Sequence, residues 1–329
     1  MTVAPVVRHV LSSAVAPADS GPFDARGVGD AVAHLRGARL TTLALAAADP
    51  GDLLLTSRQE DDLADAQASI AAMILEVDAL TLAALADLGA DELIVLKGLA
   101  HAHLDHADPS AREYGDLDLY VSAGRLAEVE RWFARRGFAR GYADFAPGWA
   151  VEFGKSITLR GEHLEVDLHR NLSQGLGLGV RPPCLFAHRT TFDLAGVTVP
   201  ALDAEARLVH AALHAMGGSA TPPINGLFDL AVMARDTDRL RRALRLAGEW
   251  DLALTLANAV RSAAAACHGL DEAVGIVDGV AGSRNERVRR RVLADQHHPF
   301  RNDVVAGALS LRGLRPRVRF VRSLVSSRL

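Results

Sequence analysis

The sequence predicts an α+β fold, in which a small mixed β-sheet lies between N-terminal and C-terminal helical regions. Strand patterns gather between about residues 91 and 200, whereas helical periodicity and abundant alanine, a strong helix former, dominate on both sides. The clearest strand, residues 116–121, alternates polar with apolar residues at the period of two that a half-buried strand requires. We therefore predict helical residues 1–90, an α/β core at 91–200 and helical residues 201–329.

The N-terminal region is predicted to contain two helices. Residues 12–29, rich in Ala, Pro, Gly and Ser, are typical of a loose lead-in. Helical patterns then cover residues 30–48 and 58–88. The second pattern follows Thr56 and Ser57, with Glu60 in capping-box position, and Gly89 is expected to be its C-cap.

The core is predicted to alternate strands with helices, and the C-terminal region to be helical. We expect strands at residues 92–96, 116–121, 138–142, 151–153, 156–160, 164–169 and 191–199, and helices at 99–106 and 123–136. Residues 170–183 are glycine-rich and predict a loop. Beyond Pro200, helices are expected at 204–216, with Asp203 as N-cap, and at 225–235, 238–246 and 251–267.

Composition and charge exclude several classes of protein. A net charge of -4 and a pI near 6.3 give no overall reason to expect a nucleic-acid or membrane partner, and no uninterrupted apolar run reaches membrane-spanning length. Cys184 and Cys267 lack the spacing of a zinc site or disulfide framework, so we expect a cytoplasmic protein. Residues 284–329 hold twelve Arg against three acids, which favours a solvated helix face over an RNA contact.

Acidic residues occupy one face of each of two predicted strands. Asp116 and Asp118 alternate with leucines, and a later strand places Glu165, Asp167 and His169 on one face. Hard carboxylate oxygens suit a divalent cation. A solvated strand face is the alternative for each acid, and for Glu165 the two interpretations are even.

A phosphate site is predicted where a strand ends and a helix begins. Lys97 and Gly98 open that helix, so its free N–H groups and the lysine ammonium are placed to receive a phosphate. Arg112, in the loop before Asp116, has a planar fork that suits phosphate oxygens. For Lys155, a phosphate contact is the alternative to simple exposure.

These residues together resemble the polymerase-beta-like nucleotidyltransferase superfamily, and within it a bacterial group of largely uncharacterised nucleotidyltransferase-family proteins. The resemblance covers about the middle half of the chain and is carried by Leu96-Lys97-Gly98, Arg112, Gly115-Asp116-Leu117-Asp118-Leu119, Val166-Asp167-Leu168-His169, His210, His214 and Phe228-Asp229-Leu230. One departure is present: the wider superfamily has Gly-Ser at the helix start, where this chain has Lys97-Gly98.

The resemblance implies that residues 91–200 form a nucleotidyltransferase core that uses magnesium, with two ions expected. It assigns Asp116, Asp118 and Asp167 to catalysis and metal binding, and Lys97, Gly98, Arg112 and His169 to the nucleotide. The implied reaction moves a nucleoside monophosphate, AMP by default, from an NTP to a hydroxyl or phosphate acceptor. A small molecule, a peptide natural product, a protein and tRNA all fit as acceptor, and a catalytically silent nucleotide-binding or scaffold protein is the alternative.

The remaining histidines have less specific patterns. His101, His103 and His106 lie near Asp105 and Asp108, so a metal site is the alternative, but they are expected at the surface because their spacing only loosely matches a His-x-x-x-His pair. His210 and His214, at i and i+4 on a predicted helix, fit a zinc pair, a cleft-lining face or hydrogen-bonded core positions, and the core interpretation is preferred because no Glu or Cys ligand accompanies them.

Overall fold

The computed structural model describes residues 4–15, 21–142, 153–172, 182–217, 222–294, 305–309, 311 and 313–326. Within these residues, helices surround a mixed sheet of seven strands, so the predicted α+β fold is confirmed. A further pair of short parallel strands lies near the N-terminus. The predicted strand at 151–153 falls largely outside the described residues.

The N-terminal region contains more helices than predicted. Its elements are α1 (Pro5–Val15), β1 (Phe23–Asp24), α2 (Ala31–Gly37), α3 (Thr41–Ala48), β2 (Leu53–Leu54) and α4 (Ser57–Leu88). The prediction of one helix over residues 30–48 is wrong, because the chain turns at Arg39, whose φ of 56° is left-handed and ends the helical path. The prediction that residues 12–29 form a loose segment before the first helix is also wrong at residues 12–15, which belong to α1.

Helix α4 is bounded by the capping interactions expected of a long helix, with one difference. The Thr56 hydroxyl accepts a bond from the Gln59 N–H, and the Gln59 side chain accepts one from the Thr56 N–H. The capping box therefore uses Gln59 and not Glu60. At the other end Gly89, with a φ of 77°, donates its N–H to the Leu85 carbonyl, which confirms it as the C-cap.

By length and composition, α4 is the one helix among the described residues that is long and apolar enough to cross a membrane. In its most apolar stretch of 18 residues, 17% of the residues are buried. Its C-terminal half nevertheless contacts the rest of the chain. The Asp78 carboxylate accepts a hydrogen bond from Tyr114 (2.8 Å), and Asp87 accepts one from the Trp132 indole (2.9 Å). The absence of a membrane partner stays a prediction.

The core region supplies the seven-stranded sheet. Its elements are β3 (Leu93–Val95), α5 (Lys97–Asp105), a 3₁₀ turn (Pro109–Ala111), β4 (Asp116–Val121), α6 (Leu126–Ala134), β5 (Ala139–Arg140), β6 (Ser156–Arg160), β7 (Glu165–His169), α7 (Pro182–Ala187), β8 (Arg189–Leu194) and β9 (Val197–Leu202). The strand order is β5-β6-β7-β4-β3-β9-β8. Strand β4 is thus central, parallel to β7 and antiparallel to β3.

The single strand predicted over residues 191–199 is wrong, because this segment folds into the β8–β9 hairpin. Ala195 and Gly196 have φ values of 52° and 83°. Two successive left-handed residues are typical of a type I′ turn, whose twist matches that of the flanking strands. Alanine at the first of these positions hid the turn from sequence reasoning.

The C-terminal region is helical, as predicted. It contains α8 (Ala204–Met216), α9 (Ile224–Ala234), α10 (Thr237–Glu249), α11 (Ala253–Ala266), α12 (Asp271–Val277), α13 (Arg284–Ala294), a short helix at 305–309 and α14 (Leu314–Ser326). Asp203 caps α8 by accepting the Ala206 N–H at 2.8 Å. The predicted domain boundaries stay a prediction.

Two apolar cores lie on opposite faces of the sheet. Leu117 and Leu119 belong to the core that contains residues of α4, α5 and α6. Tyr120, which alternates with them, belongs to the core formed by the helices at both ends of the chain. The acidic face of β4 therefore looks toward the C-terminal helices, which can line a site above it.

Candidate functional site

Parallel pairing of β4 with β7 brings the predicted acidic residues together. Asp118 lies opposite Asp167, and Tyr120 lies opposite His169. Because paired residues in a sheet direct their side chains to the same face, the polar sets of the two strands meet. The predicted orientation, with leucines on one face and acids on the other, is confirmed.

Asp118, Asp167 and His169 form a group that can hold a metal ion. Each offers one ligand atom, and these atoms all lie within 4.8 Å of one another. The Asp167 side chain is 18% exposed, whereas those of Asp118 and His169 are buried. The Thr158 hydroxyl donates to Asp167 Oδ1 at 2.6 Å and so fixes this carboxylate from the neighbouring strand β6. Two carboxylates fit a hard cation such as Mg²⁺, and the imidazole adds a nitrogen that also suits softer metals.

His169 can serve this group in either of two tautomers. Its Nε2 lies 2.7 Å from Asp118 Oδ1, and its Nδ1 lies 3.3 Å from the Asn171 carbonyl oxygen. Because a carboxylate only accepts, Nε2 donates its proton to Asp118 Oδ1 in this structure. Metal binding through Nε2 would need the other tautomer, in which the proton is on Nδ1 and the Asn171 carbonyl can accept it. Burial and the charge of Lys97 lower the pKa of His169, which favours the neutral ring.

Asp116 shares the strand face but lies outside this close group. Its side chain is 43% exposed, and Oδ1 is 3.5 Å from Arg39 Nη1. Its predicted part in metal binding stays a prediction. Glu165, opposite Asp116 in the sheet, is exposed and pairs with Arg160 at 3.2 Å, as expected for a solvated strand face.

Lys97 lies inside the acidic cluster. It is the first residue of α5, its φ is 47°, and its side chain is only 11% exposed. Its ammonium donates to Asp118 Oδ1. Burial alone would lower the pKa of Lys97, but the Asp118, Asp116 and Asp167 carboxylates outweigh burial and raise it. For Asp118, burial would raise the pKa, but Lys97 and His169 hold it well below its ordinary value.

Gly98 has a steric role that the sequence did not show. A Cβ atom built at this position would lie 2.6 Å from Tyr114 Cβ, which is closer than carbon atoms approach in proteins. The start of α5 therefore packs directly on the segment that leads into β4. Its predicted contact with nucleotide stays a prediction.

We expect Gly98→Ala to lower the free energy of unfolding by about 1 to 3 kcal/mol, the usual cost of overpacking. Urea unfolding followed by circular dichroism measures this change. Gly124→Ala is the matched control, because a Cβ there meets nothing within 4 Å. Equal stability of the two variants would contradict the steric argument.

Arg112 is placed in a buried ion pair. Its Nε and Nη2 donate to the two Asp229 oxygens at 2.7 and 2.9 Å, and Nη1 donates to the Glu113 carbonyl. His106 Nε2 lies 3.1 Å from Asp229 Oδ1. Asp229 on α9 therefore pairs with residues of the core region, and the phosphate contact predicted for Arg112 stays a prediction.

As for His106, whose side chain is 3% exposed, the expected surface position of His101 is wrong. Its ring is buried, and Nδ1 lies 3.4 Å from the fully buried carboxylate of Asp105. Arg207 and Arg239 also bind Asp105, each at 2.9 Å. These partners lie on α8 and α10, far from α5 in the sequence. Local spacing therefore could not show that they bind Asp105.

The α8 histidines lie close to the candidate site. The rings of His210 and His169 are 6.3 Å apart, and among the described residues His210 Nε2 has no hydrogen-bond partner. The His210 ring is 1% exposed, as expected for the preferred core position, but the hydrogen bond expected there is not formed by Nε2 with any described residue. Burial, followed by the charge of Lys97, lowers the pKa of His214 to about 3, so it is neutral at pH 7.

A cleft of about 380 Å³ lies on the Asp116 side of the site. Its lining residues come from α2, α4 and the segment before β4 and include Arg36, Arg39, Ile70, Met73 and Glu113. Because Arg39 also contacts Asp116, the cleft is next to the acidic strand. Its size is within the range of small-molecule sites.

Sequence reasoning underrated Lys155, whose charge acts on the same carboxylates as that of Lys97. It also missed Thr158 and Arg39, which contact Asp167 and Asp116. The sequence feature that could have drawn attention to Lys155 is its rarity, since Lys97 and Lys155 are the only lysines in the chain.

Comparisons with known proteins bear on the family to which this chain belongs. No curated protein matches the chain. A solved structure that is similar, the crystal structure of an antigenic nucleotidyltransferase-like protein from Paracoccidioides brasiliensis, is 18% identical over 56% of this chain and 91% of that chain, with a TM-score of 0.32. The family model described as uncharacterised nucleotidyltransferase matches residues 40–268, which is more than half of the sequence. The chain therefore belongs to this family of uncharacterised nucleotidyltransferases.

Proposed function

We propose that the protein is a magnesium-dependent enzyme that moves a nucleoside monophosphate, AMP by default, from an NTP to a hydroxyl or phosphate acceptor. The observation that carries this proposal is the convergence of Asp118, Asp167 and His169 with Lys97. Oxygen ligands and a cation in one partly buried site match the needs of a metal-bound triphosphate. Membership of the nucleotidyltransferase family supports the reaction class.

The donor set fits a divalent cation held by Asp118 and Asp167, with His169 as a nitrogen ligand and Asp116 as a further carboxylate on the same strand. When bound, such a cation neutralises phosphate charge and lowers the pKa of an acceptor hydroxyl. The Asp118 carboxyl keeps its charge at pH 7 because Lys97 and His169 hold its pKa low.

The proposed reaction is an in-line displacement. The acceptor oxygen forms a bond to the α-phosphorus, the bond from that phosphorus to the bridging oxygen breaks, and pyrophosphate leaves. Asp167 is the group assigned to take the acceptor proton, since it is the most exposed member of the metal group and Thr158 fixes its orientation. Lys97 neutralises charge on the triphosphate.

The proposal is tested by incubating the protein with each labelled NTP, Mg²⁺ and three acceptor pools: small metabolites, proteins and tRNA. We expect pyrophosphate release that depends on one acceptor pool, and mass spectrometry then identifies the labelled product. The same reaction with chelator in excess is the control and should give no product.

A silent nucleotide-binding protein is the second candidate, favoured by Lys97-Gly98 at the helix start in place of the superfamily's Gly-Ser. Binding of Mg-NTP without pyrophosphate release in any pool would support it and overturn the enzymatic proposal. A tRNA acceptor is compatible with the basic C-terminal region, although Arg289 there is buried against Asp251 at 2.9 Å and so has a structural role. A cytoplasmic location is part of the same proposal.

A further inference from the structure

The backbone of Lys155 is fixed beside the metal group. The Lys155 carbonyl accepts the N–H groups of Arg170 at 2.8 Å and Asn171 at 3.1 Å, and the Asn171 side chain donates to the Gly154 carbonyl at 2.7 Å. These two residues directly follow His169, whose ring touches Asp118. The start of β6 is therefore tied to the end of β7 that bears the candidate metal ligands.

The Lys155 side chain is partly buried but has no hydrogen bond or ion pair with any residue that the structure describes. Lys97, by contrast, pairs directly with Asp118. Burial and the charge of Lys97 lower the pKa of Lys155, whereas Asp167, Asp118 and Asp116 oppose that shift. The ammonium is thus within the electrostatic reach of the cluster, and no residue in the described part of the chain neutralises it as a close partner.

We propose that Lys155 is a second polyphosphate-binding residue, which together with Lys97 holds the β- and γ-phosphates of the NTP. This inference rests on the proposed function and extends it to the residue that directly precedes strand β6. A partly buried ammonium without a partner carries a desolvation cost that an anionic ligand relieves. A triphosphate supplies several negative oxygens, so two lysines near the carboxylate cluster complement it.

The first test compares the affinities of wild type, Lys155→Met and Lys155→Arg for ATP, ADP and adenosine in the presence of Mg²⁺, by calorimetry. We expect Lys155→Met to weaken ATP binding by about ten- to hundredfold, as for a lost charge-assisted hydrogen bond, and to leave adenosine binding unchanged. Lys155→Arg should restore part of the affinity. Arg160→Met, an exposed cation at the far end of β6, is the control and should bind ATP as wild type does.

A second measurement needs no variant and therefore does not depend on a variant folding. Because the chain has two lysines, mass spectrometry can follow modification of each by an amine-reactive reagent separately. We expect saturating Mg-ATP or inorganic tripolyphosphate to slow the modification of Lys155, and adenosine to have no effect.

The outcomes separate this inference from the function on which it rests. Unchanged ATP affinity in Lys155→Met, or an unchanged rate of Lys155 modification under saturating Mg-ATP, would overturn the inference while leaving the nucleotidyltransferase proposal intact. Failure of the wild-type protein to bind any NTP with Mg²⁺ would overturn both.

Discussion

Asp118→Asn is expected to reduce nucleotidyl transfer at least about a thousandfold while leaving the fold intact. The substitution keeps the shape of the side chain but removes the charge that Lys97 and His169 both contact. It also removes one of the two carboxylates of the metal group. Label transfer to the acceptor and Mn²⁺ binding measured by electron paramagnetic resonance should therefore fall together.

The control for this variant is Glu165→Gln. Glu165 is a carboxylate of the neighbouring strand β7, but its side chain is 48% exposed and pairs with Arg160. Its transfer rate should stay within about twofold of wild type, as for a surface ion pair of little energetic weight. Retention of a tenth or more of the activity by Asp118→Asn, with unchanged Mn²⁺ affinity, would refute the assignment.

The same assay decides the role of Asp116. Sequence reasoning predicts that Asp116→Asn abolishes transfer without unfolding the protein. The structure places Asp116 beside Arg39 at the exposed end of β4, outside the close group of ligand atoms. A loss as large as that of Asp118→Asn would identify Asp116 as a metal ligand, whereas a small loss would limit it to the contact with Arg39.

The parts of the site that sequence reasoning predicted are those set by local periodicity. Alternation in β4 and β7 was sufficient to place Asp118 and Asp167 on polar strand faces opposite the leucines. The parallel register that sets these two aspartates side by side is a long-range property, and here the family resemblance supplied what periodicity could not. The helix that begins at Lys97 followed from the change of pattern after a short apolar strand.

The parts that sequence reasoning missed depend on partners distant in the chain. The phosphate contact of Arg112 stays a prediction, but sequence reasoning did not foresee that its guanidinium binds Asp229, 117 residues later. His101 was expected at the surface because its spacing to the nearby histidines only loosely matches a metal-binding pair, but it is buried beside Asp105, which binds two arginines of the C-terminal helices. No local pattern contains such tertiary pairings.

Asp229→Asn is expected to destabilise the protein by about 3 to 5 kcal/mol, because it leaves the Arg112 charge buried without its counter-ion. Urea unfolding at pH 7 measures the loss, and Glu165→Gln, which breaks an exposed pair, should cost at most about 1 kcal/mol. The double variant Arg112→Met/Asp229→Leu should recover much of the stability, since it removes both charges. No recovery would show that the side chains matter for a reason other than their charges.

The pH dependence of stability gives an independent check on this pair. Burial would raise the pKa of Asp229, but the charges of Arg112 and His101 and the hydrogen bonds from His106 and Arg112 hold it below the ordinary value. A carboxyl whose folded pKa is depressed stabilises the protein above its unfolded pKa of about 3.9, and this stabilisation disappears as the pH falls toward the folded pKa. The difference in unfolding free energy between wild type and Asp229→Asn should therefore be largest near pH 7 and shrink below about pH 4. Parallel stability curves from pH 7 to pH 3 would show that Asp229 carries no such charge, and the ion pair that holds Arg112 just before β4 would then have to be rejected.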